Sequence, residues 1–131
     1  MRAVLIALLL PTAAAAADCA PDLAAGGRTI AGDGYTLVMR PAPAPIPLGR
    51  HFAIDLAVCP QAGAAPALTR VEARMPEHGH GMNYRTTIVP RGEGRWRANG
   101  LLFHMPGRWE LIFDLRDGGR SARLAVEEMV E

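Results

Sequence analysis

The sequence predicts an all-β domain in which two sheets stack face to face. Three observations predict it. Apolar and polar residues alternate with period two in seven separate segments, which is the pattern of strands that bury one face. The 14 Gly and 11 Pro interrupt every stretch in which a long helix could form, because an interior Gly costs about 1 kcal/mol and an interior Pro about 3 kcal/mol. Short Gly- and Pro-rich connections join the segments, so neighbours in sequence can pair as antiparallel strands. At 131 residues the chain has room for one domain.

The first element lies outside that domain. Residues 1–17 read MRAVLIALLLPTAAAAA: one Arg, an apolar run at 3–10, then Pro11, Thr12 and small Ala residues. This is the n-region, h-region and cleavage pattern of a secretory signal peptide. The run is short of the roughly twenty apolar residues that span a bilayer. A lipoprotein is disfavoured because Asp18 precedes Cys19, where a small residue is wanted. Cleavage near Ala17 is therefore expected, leaving residues 18–131 as a single exported domain, with an uncleaved anchor as the alternative. The expected location is periplasmic or secreted, with no stable membrane insertion.

The strands follow in order. Residues 35–40 place Tyr35, Leu37 and Met39 on one face. Residues 51–59 alternate most clearly, with Phe52, Ile54, Leu56 and Val58 against His51, Asp55 and Cys59. Residues 69–75 set Val71, Ala73 and Met75 inward, and residues 84–89 form a weaker segment. Residues 96–105 read as one strand with a bend at Gly100. Residues 108–116 alternate Trp109, Leu111, Phe113 and Leu115, and residues 121–127 point Ala122, Leu124 and Val126 inward. Asp117-Gly118-Gly119 and Arg91-Gly92-Glu93-Gly94 read as hairpin turns. Residues 41–47 carry four Pro and read as an extended connector, because Pro cannot donate to a ladder. Residues 61–66 read as a loop of small residues. About seven short strands in a chain of this size predict an immunoglobulin-like β-sandwich.

Charge and cysteine narrow the function classes. All 14 basic residues are Arg, against 13 acidic ones; loss of Arg2 with the leader leaves 14 − 1 = 13, so the mature domain is formally neutral. A neutral chain lacks the broad basic face that nucleic-acid binding needs. In an oxidising compartment Cys19 and Cys59 are expected to pair. The loop closed is about 40 residues long, worth roughly 3–4 kcal/mol in the chain-entropy model. The alternative, two thiolate metal ligands, requires that the pair stay reduced.

The segment Met75-Pro76-Glu77-His78-Gly79-His80-Gly81-Met82 holds two of the four His. In extended backbone His78, His80 and Met82 project to one side, since they are spaced by two, and the intervening Gly79 and Gly81 let the backbone bend so that these side chains converge. His104-Met105, ahead of Pro106-Gly107, forms a second cluster, and His51 opens the second segment. If strands run alternately up and down, all four His fall near one pole, with Cys19 and Cys59 at the other. Imidazole and thioether donors suit copper, and the Met sulfurs favour Cu(I). Calcium and magnesium want oxygen ligands. Zinc more often recruits Cys or a carboxylate beside His, a possibility that Glu77 leaves open. The predicted metal ligands are therefore His78, His80, Met82, His104 and Met105.

Structural roles compete for several of these side chains. Met39 and Met75 continue inward faces and read as core. His51 reads as an exposed strand-end residue, and Trp96 and Trp109 as core, with cation–π stacking on copper as the alternative for the two Trp. Met105 shares parity with Leu101 and Phe103, so packing competes with ligation, and His104 could hydrogen-bond the turn instead. The Gly-His stretch has a solvated loop as its alternative. An enzyme is not expected: there is no G-x-S-x-G elbow and no H-E-x-x-H helix. C-x-x-C-H for haem attachment is missing too. A blue-copper site needs a Cys beside the His, whereas both Cys are expected at the far pole.

The tandem of the 75–82 stretch with Gly94-Arg95-Trp96 and Gly100-Leu101-Leu102-Phe103-His104-Met105-Pro106-Gly107-Arg108-Trp109-Glu110-Leu111 resembles the YtkA-like family, related to FixH-type proteins. The likeness covers roughly residues 35–126, and the family's His-Gly-Met element falls on His80-Gly81-Met82. The resemblance implies a small exported or membrane-tethered immunoglobulin-like domain. Some relatives are associated with copper handling or cytochrome oxidase assembly. Full FixH-type proteins carry a transmembrane helix, which this chain does not match. The functional expectation is a periplasmic copper-binding or copper-delivery module that exchanges Cu(I) with a donor or acceptor protein. The alternative is a metal-independent accessory or protein-interaction domain.

Overall fold

Alternation along the chain becomes two antiparallel sheets in the computed structural model, which describes residues 19–131. The expected leader, residues 1–17, lies outside the described residues. After one helical turn, α1 (Pro21–Ala24), come β1 (Arg28–Gly32), β2 (Tyr35–Ala42), β3 (Phe52–Pro60), β4 (Ala67–Met75) and β5 (His80–Gly81). They are followed by β6 (Thr87–Pro90), β7 (Arg95–Leu101), β8 (Gly107–Asp117) and β9 (Arg120–Val130). One sheet has the order β1-β2-β3-β7-β6 and the other β5-β4-β8-β9. The chain is a β-sandwich.

The apolar parity of each strand meets in the space between the sheets. Leu37 and Met39, Ile54 and Leu56, Val71 and Met75, Leu111, Phe113 and Leu115 are buried there. Trp109 is fully buried, stacked on Phe103 at 4.5 Å with the rings 7° apart. Phe52 meets Phe103 edge-on at 5.0 Å. Polar residues of the same strands turn outward into ion pairs across β4, β8 and β9, such as Arg74–Glu110 and Arg123–Asp114.

The cysteines form the expected disulfide, Cys19–Cys59. It lies near the end of β3 remote from Phe52, on the outer face of the five-stranded sheet. There Cys19, Ala20 and Leu23 bury Val38 and Ala57, whose parity points away from the core. Asp22 accepts two hydrogen bonds from Arg95 (2.7 and 2.9 Å), which ties α1 to β7. The hydrogen bond from Arg95 holds the Asp22 carboxyl below its ordinary value.

Several strand boundaries differ from expectation, each for a physical reason. β1 was not expected, because Ile30 is its only large apolar residue. It forms by pairing with β2 from Arg28↔Met39 to Gly32↔Tyr35. β2 runs on through Pro41 and Ala42, so the connector expected over 41–47 begins later. Beyond Met39 the β1 side of β2 is unpaired, and a residue without N–H is tolerated at such an edge. β3 starts at Phe52 and not at His51. β6 begins at Thr87, leaving Tyr84 in the crossing between the sheets. The strand expected over 96–105 ends at Leu101; Gly100 turns to φ +86° inside it, where the register against β3 shifts, and the pairing resumes at Leu101↔Phe52. Both predicted hairpins are present: β6 returns into β7 through 91–94, and β8 into β9 through Gly118-Gly119.

Candidate functional site

Residues 75–82 are not extended throughout: the bend expected of the glycines falls at Gly79, while Gly81 stays in strand. They form a tight hairpin from β4 into β5. The Met75 carbonyl accepts hydrogen bonds from the N–H groups of His78 (3.1 Å) and Gly79 (3.0 Å). Pro76 sits at the second position of that turn, where its fixed φ fits. Gly79 closes the turn at φ +67°, a conformation that costs other L-residues about 1–2 kcal/mol. A Cβ on Gly79 would meet nothing within 4 Å, so only backbone strain opposes substitution. Gly79→Ala is expected to lower stability by about 1 kcal/mol, read as a urea midpoint shift, with Gly79→Asn milder.

The hairpin register decides where the donors point. His80 lies opposite Met75 and Gly81 opposite Arg74. Directly opposed residues share a face, so His80 joins Met75 on the inner face, at the rim of the sandwich. The Met82 N–H donates to the Ala73 carbonyl at 3.2 Å, which carries the pairing one step further. Met82 therefore falls on the same face as His80, half-buried against the core. His78 sits on the exposed turn, so it does not share the strand face predicted for it.

The second cluster approaches from the β7–β8 connection. Phe103 is buried and forms a bridge to Leu48, and its carbonyl accepts the Gly49 N–H at 2.8 Å. Next along the chain, His104 is exposed. Trp109 Nε1–H donates to the Met105 carbonyl at 3.0 Å, closing the loop beneath it. The Met105 side chain packs half-buried against the core, as its parity suggested.

Three imidazoles come together. His80 stands between the other two, with ring centroids 5.2 Å from His104 and 5.8 Å from His78. Trp109 lies below, edge-on to His104 at 5.5 Å and to His80 at 6.1 Å. An ion about 2 Å from a ring nitrogen lies about 3 Å from the ring centre, so two imidazoles on one ion have centroids about 5–6 Å apart. Both neighbouring pairs meet that spacing. Among the described residues no three His, Cys, Asp or Glu converge as a group that could hold a metal ion. His80 Nδ1 lies 3.1 Å from the Gly81 carbonyl; a carbonyl only accepts, so this hydrogen bond leaves the proton on Nδ1 and the lone pair on Nε2.

Glu77, left open as a zinc ligand, is bound to Arg108 at 2.9 Å. Arg108 also reaches Glu127 at 2.5 Å, and the two carboxylates, Glu77 first, raise its pKa and keep it charged. His51 lies apart from the trio in its contacts, edge-on to the exposed Tyr84 at 4.8 Å. Both Cys are consumed in the disulfide, so the thiolate-ligand alternative is overturned. Trp109 is core, as its inward parity on β8 predicts; that parity carried no sign of which His lay above it.

Fold and site together define an all-β sandwich, stapled by a disulfide toward one end and carrying grouped histidines at the other. No family model matches the chain, and no curated protein or solved structure shows significant similarity to it.

Proposed function

We propose that the chain is an exported immunoglobulin-like domain that binds Cu(I) and passes it to a periplasmic partner. One observation carries the reading: His80 has an imidazole at metal-sharing distance on each side, 5.2 and 5.8 Å away. Met82 adds a soft thioether on the face of His80, and Met105 adjoins His104. The order β2-β3-β7-β6 against β4-β8-β9 supports the immunoglobulin-like fold, which splits its strands in that manner. Proposed kinship with YtkA-like domains rests on the residues around His80 and His104. The disulfide supports an oxidising compartment, and no described helix is long and apolar enough to cross a membrane. Delivery would proceed by ligand exchange, because an open set of two or three donors leaves room for a partner's ligand.

Competition of the 18–131 domain against Cu(I) chelators tests this. Wild type is expected to hold one equivalent, and His80→Gln to weaken binding at least about tenfold, or about 1.4 kcal/mol. Failure to compete with even a weak chelator overturns the reading. A second reading, a metal-independent interaction domain, is favoured by the lack of three converging donors among the described residues. Equal capture of one partner by wild type and a His78→Ala, His80→Ala double variant supports that reading.

A further inference from the structure

We infer that His80 is a shared ligand serving two overlapping positions for the ion, an inner one completed by His104 and an outer one completed by His78. The inference rests on the copper-binding reading and goes beyond it by ordering the donors.

The spacing is the first ground. His80 is within ligand-sharing distance of each neighbour, 5.2 Å to His104 and 5.8 Å to His78, yet the three rings do not form a common three-donor group. Two pairs with one member in common are what this arrangement offers. The second ground is the lone pair. With Nδ1–H donated to the Gly81 carbonyl, His80 keeps one ligating atom, Nε2, and one nitrogen lone pair holds one ion. The positions are therefore mutually exclusive, and three histidines bind a single equivalent.

Their surroundings differ in a way that gives the pair a direction. The inner position lies beside the buried indole, since half-buried His80 and exposed His104 both meet Trp109, at 6.1 and 5.5 Å. Met82 faces the same rim. The outer position lies on the exposed turn 76–79, where a partner's ligand can approach. Movement between them keeps the His80–metal bond. The bond to His104 breaks as the bond to His78 forms, with no change in the ion's charge and no electron transferred. The freed His104 nitrogen regains its lone pair.

Cu(I) binding to the 18–131 domain and its transfer to a chromophoric chelator, followed by stopped flow, test this, with each variant's unfolding midpoint recorded. Wild type is expected to bind one equivalent. His104→Ala should weaken equilibrium binding at least about tenfold, and His78→Ala by less than about threefold. His78→Ala should instead slow transfer to the chelator at least about tenfold, since partners reach the ion through the outer position. His80→Gln should remove both behaviours. Binding of two equivalents overturns the inference, as do equal losses of affinity from His78→Ala and His104→Ala or an unchanged transfer rate in His78→Ala. Any of these with tight wild-type binding leaves the copper reading standing. Failure of wild type to bind at all overturns both.

Discussion

Replacing Trp109 by Ala is expected to destabilise the domain by about 3–5 kcal/mol, the range for removing a large aromatic side chain from a packed core. Trp109 has no exposed surface, and it stacks on Phe103 with rings 7° apart. Its indole N–H also holds the Met105 carbonyl, so the loop that carries His104 loses its internal tie. Trp109→Phe keeps much of the stack but drops that hydrogen bond, and should cost about 1–2 kcal/mol. Urea unfolding of both variants gives the comparison. A loss below about 1.5 kcal/mol for the Ala variant would show that the core relaxes into the space and that the stack is not central.

Loss of the disulfide is expected to cost about 3–4 kcal/mol, since the sequence separation of 40 removes that much closure entropy from the unfolded chain. Reduction also frees residues 19–24, which cover Val38 and Ala57 on the outer face of the sheet. Fraying there exposes apolar surface on two central strands. Unfolding with and without reductant, and of a Cys19→Ser, Cys59→Ser variant, measures the effect. An unchanged midpoint would overturn it. The histidine trio sits at the other end of the sandwich, so Cu(I) affinity of the folded variant should stay within about twofold of wild type.

The elements legible in the sequence were those with local cause. A strand that buries one face writes its period into five or more residues, and β3, β4 and β8 were readable for that reason. β5 has two residues, too few to carry a period, and exists because the 76–79 turn lays it against β4. β1 owes its existence to its β2 partner. Leu101, Phe103 and Met105 continue one parity, so alternation overran the end of β7 at Leu101; Gly100 only shifts the register against β3, and pairing resumes beyond it. The spacing of His78, His80 and Met82 marked the cluster, but Pro76 and Gly79 fold it into a tight turn, so His78 leaves the face that extended chain would give it.

By itself, the sequence determined the all-β class, the inward faces, the two hairpins and the pairing of the only two cysteines. Each follows from local periodicity, turn chemistry or composition. Tertiary structure alone decided that His80 stands between His78 and His104, that Glu77 goes to Arg108, and that His51 goes to Tyr84. Those outcomes depend on cross-strand register and on the approach of the 102–106 loop to the rim. Contacts between residues 24 to 33 positions apart along the chain leave no trace in the pattern of either segment.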